Sequence, residues 1–174
     1  ALWAQKRWRA ERVMVLDFDA HHGDGTEEIL ADRPGVRFLS LFQWPLFPHR
    51  RMEPTPSNAV LSPLPAGAGG EEIRNVVENV WLPEIDKFQP DLMILSAGFD
   101  AHCEERIAQL KAGEMDYACV TRLLVEASFA YCEGRLVSVL EGGYELRSLA
   151  RSVFTHLQGL IRNPLPAETC KDPN

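Results

Sequence analysis

Two histidines and three aspartates fall within eight positions, Asp17-Phe-Asp-Ala-His-His-Gly-Asp24, directly after the apolar run Val13-Met-Val-Leu16. Asp17, Asp19 and His21 alternate at period two, so an extended backbone would send their side chains to one side. A carboxylate and an imidazole two residues apart can chelate one cation. The competing reading is a turn that Asp and Gly make after a strand. Asp100 follows a second apolar run, Leu92-Met-Ile-Leu95, and supplies either a third ligand or a helix N-cap. Two aspartates and a histidine around an open position suit hydrolytic zinc (Zn2+), and so much oxygen also admits Fe2+, Mn2+ or Co2+. Tyr144 follows Gly142 and Gly143. It either packs in the core or, opposite a metal, donates a hydrogen bond to a carbonyl oxygen that becomes an oxyanion.

These residues need a scaffold that brings them together, and the hydrophobic pattern describes one. Short β-branched and apolar runs at Val13–Asp17, Val36–Leu41, Leu92–Leu95 and Leu136–Leu140 read as buried strands. Helical spacing is predicted over Thr26–Ala31, Glu71–Phe88, Glu114–Tyr131 and about Tyr144–Ile161. The proline-rich stretch from Phe42 to Gly70 is predicted to be a long surface loop. Alternation of strands and helices implies an α/β fold, a parallel sheet with helices on both faces. Polar or glycine-rich segments follow three of the four strands, and in an open parallel sheet they converge on one crevice at the strand carboxyl ends.

Composition bounds the partners. The 174 residues are 45% hydrophobic and 25% charged, the balance of a globular chain. With 18 Lys+Arg against 25 Asp+Glu, the net charge is −7, which gives no electrostatic footprint for nucleic acid or an anionic membrane. No apolar run approaches the roughly 20 residues of a membrane helix, and the cationic opening is unlike a signal peptide, so the expected setting is cytoplasmic. The four cysteines form no CxxC pair and read as reduced thiols. The chain opens on Ala1 in a helical pattern, and it is expected to be a fragment, with one domain over 1–162 and a tail over 163–174.

Four motifs occur in order between Glu11 and Leu160: DFDAHHGDGT (Asp17 to Thr26), SLFQWPLFP (Ser40 to Pro48), SAGFDAH (Ser96 to His102) and LEGGYEL (Leu140 to Leu146). Together they closely resemble the histone deacetylase family, above all its bacterial members, among them acetylpolyamine amidohydrolases and acetoin-utilisation proteins. The resemblance implies the arginase/deacetylase fold, present only in its later part, and hydrolysis of N-acetyl amides on lysine or polyamine. It makes Asp19, His21 and Asp100 the zinc ligands and Tyr144 the catalytic tyrosine. It also implies a structural monovalent-cation (K+) site at Asp17, completed by the carbonyls of Asp19, His21 and Leu41 and the hydroxyl of Ser40. Asp17 and Asp24 would orient the family's paired catalytic histidines, which have no counterpart in this chain; the missing N-terminal part of the domain is therefore an expected partner. The sequence departs from the family at HRRMEP after Pro48, in place of a Gly-Thr-Gly turn, and at Glu105-Arg106-Ile107, in place of Asp-Pro-Leu. Two alternatives accompany this reading: a truncated or degenerate non-catalytic module, and an arginase-type ureohydrolase holding two metals.

Overall fold

A computed structural model describes residues 1–49 and 54–161; the 163–174 tail lies outside them. Five strands, β1 (Val13–Asp17), β2 (Val36–Gln43), β3 (Ala59–Leu64), β4 (Leu92–Ala97) and β5 (Leu136–Leu140), form one sheet in the order β3-β2-β1-β4-β5. Every pairing is parallel. The chain first builds outward from β1 through β2 to β3, then returns to place β4 on β1's other side. The strand order thus reverses between β1 and β4, and ligands of open α/β sheets bind at such a point.

Every residue of β1 is buried. Val13 and Val15 face one side, where Leu30 of α2 (Asp24–Leu30) and Ala4 of α1 (Leu2–Trp8) pack near them. Met14 and Leu16 face the larger core, which is filled by α3 (Gly70–Val76), α4 (Leu82–Phe88) and α5 (Glu114–Cys132). Helices cover both faces as expected. The helical stretch predicted over Glu71–Phe88 is interrupted by a π-helical turn at Val77–Trp81. Pro83, which has no N–H to donate back into the preceding turn, accounts for this local widening.

The loop expected from Phe42 to Gly70 is corrected by β3, which pairs with Phe38–Gln43 and carries Pro63 opposite Phe42. A proline within an apolar run argues against a central strand, but β3 lies at the sheet edge, where a missing N–H costs no ladder bond. Among the described residues Cys103 and Cys132 are free.

His156, on α6 (Leu146–Leu160), is a core histidine that joins α5, β5 and α6. The Thr121 hydroxyl donates to the Tyr117 carbonyl at 2.6 Å, so it accepts from His156 Nδ1, also at 2.6 Å. His156 Nε2 is then the acceptor for the Ser138 hydroxyl at 2.8 Å. Burial pushes the imidazole pKa down to about 4.

Candidate metal centre

After Asp17 the backbone leaves the extended form because each aspartate caps the amide two residues on. Asp17 Oδ1 accepts from Asp19 N–H at 3.0 Å, and Asp19 Oδ1 from His21 N–H at 2.8 Å. The turn carries Asp19 and His21 over the end of β4 to Asp100, which is fully buried. His21 Nδ1 lies 2.8 Å from Asp100 Oδ2 and 3.1 Å from Asp19 Oδ1. One donor atom from each of Asp19, His21 and Asp100 lies within 4.8 Å of the others. The ligand set expected from sequence is therefore brought together, and Asp17 stands one hydrogen bond behind it rather than beside it.

Backbone amides hold the two carboxylates from outside. Ala20 N–H donates to Asp100 Oδ1 at 2.8 Å and Gly142 N–H to Asp19 Oδ2 at 2.9 Å. Glycine is required on two sides of this cradle. A Cβ at Gly98 would come 2.5 Å from Asp19 Cα, and one at Gly142 would come 2.4 Å from Asp100 Oδ2 and 2.5 Å from Asp19 Oδ2. Neither contact is visible in sequence beyond the bare fact of glycine after a strand.

The electrostatics call for a cation. Burial raises the Asp100 carboxyl, with the neighbouring Asp19 charge adding to the effect against the hydrogen bond from His21. Burial also pushes Asp19 up, but hydrogen bonds from the His21 ring, His21 N–H and Gly142 N–H outweigh it, so Asp19 lies below its ordinary value. Hydrogen bonds to Asp100 and then Asp19 raise His21 to about 10. A proton held there supplies the positive charge that a metal ion would supply in its place. Two oxygens and one nitrogen in a tight glycine-walled cradle fit a divalent ion such as zinc.

Asp17 is buried and its carboxyl is raised well above the ordinary range, first by desolvation and then by the charges of Asp19, Glu141 and Asp100. Ser40, its register partner on β2, is also buried, and its hydroxyl lies 3.2 Å from His22 Nδ1. His22 Nε2 in turn lies 2.5 Å from Glu27 Oε2. Leu41 is buried in β2 beside Ser40. Asp24 is exposed at the start of α2, where its carboxylate accepts from Gly25 N–H at 2.8 Å. Tyr144 is 62% exposed at the rim. Its phenol pKa is raised by partial burial and by the charges of Asp100 and Asp19. Its backbone N–H and that of Glu145 both donate to Glu105 Oε1, at 2.7 and 2.8 Å.

A second acid–histidine group, His102, Glu104 and Glu114, is already occupied by an internal cation. Arg151 donates to Glu104 at 2.6 Å and to Glu114. His102 Nδ1 accepts from Glu104 N–H at 3.1 Å, which leaves its ring proton on Nε2, 3.4 Å from Glu114. This group ties the segment after Asp100 to α5 and α6 and offers no open metal position.

The geometry defines a parallel α/β protein with an Asp–His–Asp cradle, able to hold a metal ion, at its strand reversal. Residues 1–160 match the histone deacetylase domain, and the chain belongs to that family. "Histone deacetylase 10, chloroplastic" of Oryza sativa subsp. japonica is 34% identical over 99% of this chain. "Polyamine deacetylase HDAC10" of Mus musculus is 31% identical over 94% of it. The crystal structure of the HDA15 HD domain superposes with a TM-score of 0.84 at 27% identity over 97% of the chain. The chain spans 40% of the rice protein, 26% of the mouse protein and 49% of the HDA15 structure.

Proposed function

We propose that this chain carries the metal-binding half of a deacetylase that hydrolyses N-acetyl amides, on lysine side chains or on polyamines. The observation that carries the reading is the convergence of Asp19, His21 and Asp100 in a cradle that Gly98 and Gly142 keep open. A bound divalent ion, zinc first and Fe2+, Mn2+ or Co2+ as substitutes, supplies Lewis acidity to an acyl carbonyl and to water. The chain's own residues position the ion and stabilise the developing charge. Asp19, His21 and Asp100 hold the ion's position, and the amides of Ala20 and Gly142 fix the carboxylates in one orientation. Tyr144, at the rim and in the field of the same carboxylates, donates its phenolic proton in a hydrogen bond to the carbonyl oxygen as charge builds there.

The proton acceptor for the attacking water comes, in this proposal, from residues outside the chain. Among the described histidines, His21 is a ligand, His22 lies against Glu27 and Ser40, His156 is locked in the core and His102 is enclosed beside Glu104 and Glu114. His49 stands on the loop after β2. Asp17 and Asp24 would orient that incoming acceptor, and the exposure of Asp24 leaves it open to a partner. Asp17, Ser40 and the carbonyls of Asp19, His21 and Leu41 would also hold a structural K+, which offsets the cost of a buried carboxylate. The ureohydrolase alternative needs a second ligand set beside the first, and the other acid–histidine group among the described residues already holds Arg151.

The full-length gene product, tested on a fluorogenic acetyl-lysine peptide and on N-acetylputrescine, is expected to release acetate from one of them. Activity should disappear with a chelator and return with zinc. Failure to cleave either substrate in the metal-loaded protein would refute the deacetylase reading.

A further inference from the structure

Tyr144 sits where its own surroundings do little to aim it. It is 62% exposed, so packing does not fix the ring, and it follows Gly142 and Gly143. Gly143 has φ +137°, a conformation that only glycine adopts without strain. Gly142 is held by its N–H on Asp19 and by its carbonyl, which accepts from Phe99 N–H at 2.7 Å, so the freedom that remains lies at Gly143 and beyond, where a further contact must fix the direction of Tyr144. Glu105 makes that contact: its Oε1 accepts both the Tyr144 N–H at 2.7 Å and the Glu145 N–H at 2.8 Å. Charge-assisted bonds of this kind are about twice as strong as neutral ones. Glu105 lies five positions after Asp100, on the segment that also carries His102 and Glu104. That segment is in turn tied to α6 by Arg151 through Glu104. The brace therefore links the rim tyrosine to the strand end that supplies a metal ligand.

We propose that Glu105 is a positioning residue, which sets the direction of the Tyr144 phenol by holding the Tyr144 and Glu145 amides on one carboxylate oxygen. The proposal rests on the reading of Tyr144 as the hydrogen-bond donor to the reacting carbonyl. A donor misplaced by about 1 Å loses on the order of a hundredfold in rate, so the carboxylate matters without touching substrate.

The test uses the full-length gene product with metal bound, in four forms: Glu105→Ala, Glu105→Gln, Tyr144→Phe and the Glu105→Ala/Tyr144→Phe pair. Glu105→Ala is expected to lower kcat by about tenfold to a hundredfold with KM changed less than about threefold and metal content unchanged. Glu105→Gln keeps a carbonyl oxygen that accepts both amides, and should recover most of that loss. In the Tyr144→Phe background, Glu105→Ala should cost nothing further. Amide hydrogen exchange over residues 142–146, read without substrate, should speed up in Glu105→Ala and not in Glu105→Gln. The proposal is overturned by a slow Tyr144→Phe enzyme beside a Glu105→Ala enzyme of unchanged kcat, by an equal loss in both backgrounds, or by unchanged exchange. If Tyr144→Phe itself keeps full activity, the role of Tyr144 fails and the positioning role falls with it. The exchange result then still reports whether the brace exists.

Discussion

Each residue at the centre answers to a distinct physical demand. Asp19 and Asp100 place two carboxylates in a low-dielectric pocket, a costly arrangement unless a cation joins them. His21 is that cation while it holds its proton, and in the proposed function it becomes a ligand once it releases it. Gly142 has the opposite task, which is to add nothing. Gly142→Ala should push a methyl group into both carboxylates and weaken metal binding by about tenfold to a hundredfold, measured by competition with a chromophoric chelator. Retained affinity would mean the cradle relaxes freely. Tyr144→Phe in the full-length protein should lower kcat by about 10² to 10³ with a much smaller change in KM and no loss of metal. A kcat within about threefold of the parent would return the ring to a packing role. The convergence of Asp19, His21 and Asp100 was legible in sequence because each follows a buried strand and combines with its neighbours into a recognisable donor set. The glycine walls and Glu105 were not, since their partners lie 39 or more positions away, as with Glu105 and Tyr144.

Elements position these residues through register. Asp17 pairs with Ser40 on one side and Ser96 on the other, so β1 and β4 end nearly level and the segments after them meet, while β2 runs on to Gln43. Strand β3 stayed hidden because Pro63 interrupts a short run that only its edge position makes tolerable. The helix predicted over about Tyr144–Ile161 matched closely because its apolar stripe is long enough to show a period, as the observed Leu146–Leu160 does. What periodicity could not reveal is the polar pin between α5, β5 and α6. His156 has its folded pKa depressed from 6.5 to about 4 by burial. Its contribution to stability is thus complete above pH 6.5 and is lost as pH falls toward 4, where protonation favours the unfolded state. That depression corresponds to roughly 3 kcal/mol. Urea unfolding from pH 7 to pH 4.5 should show that decline, and His156→Gln should flatten it. An identical slope in the variant would remove His156 as the cause.

At the scale of the whole molecule, the sheet is unevenly covered. Helices α1 and α2 shield β1 and β2 on one face, but Val137 and Val139 of β5 remain 49% and 46% exposed there, and among the described residues one edge of β5 has no neighbour. Parallel sheets are ordinarily buried on both faces, and an unpaired edge templates association. In the proposed full domain, further strands and helices would cover this surface. The 174-residue chain on its own should therefore self-associate in a concentration-dependent way on size-exclusion chromatography with light scattering. Val137→Lys/Val139→Lys should shift it toward monomer. A monodisperse parent monomer would show that the exposed surface tolerates water unaided. Among the described residues no helix is long and apolar enough to cross a membrane, which leaves the sheet edge and its bare face as the notable apolar exposure of β5.

The claim on which the account depends is one metal per chain at Asp19, His21 and Asp100. Elemental analysis of the purified full-length protein, set beside an Asp19→Ala/Asp100→Ala double variant, tests it directly. The account predicts about one divalent transition-metal ion per chain in the parent and nearly none in the variant. Equal metal content in the two proteins would contradict it.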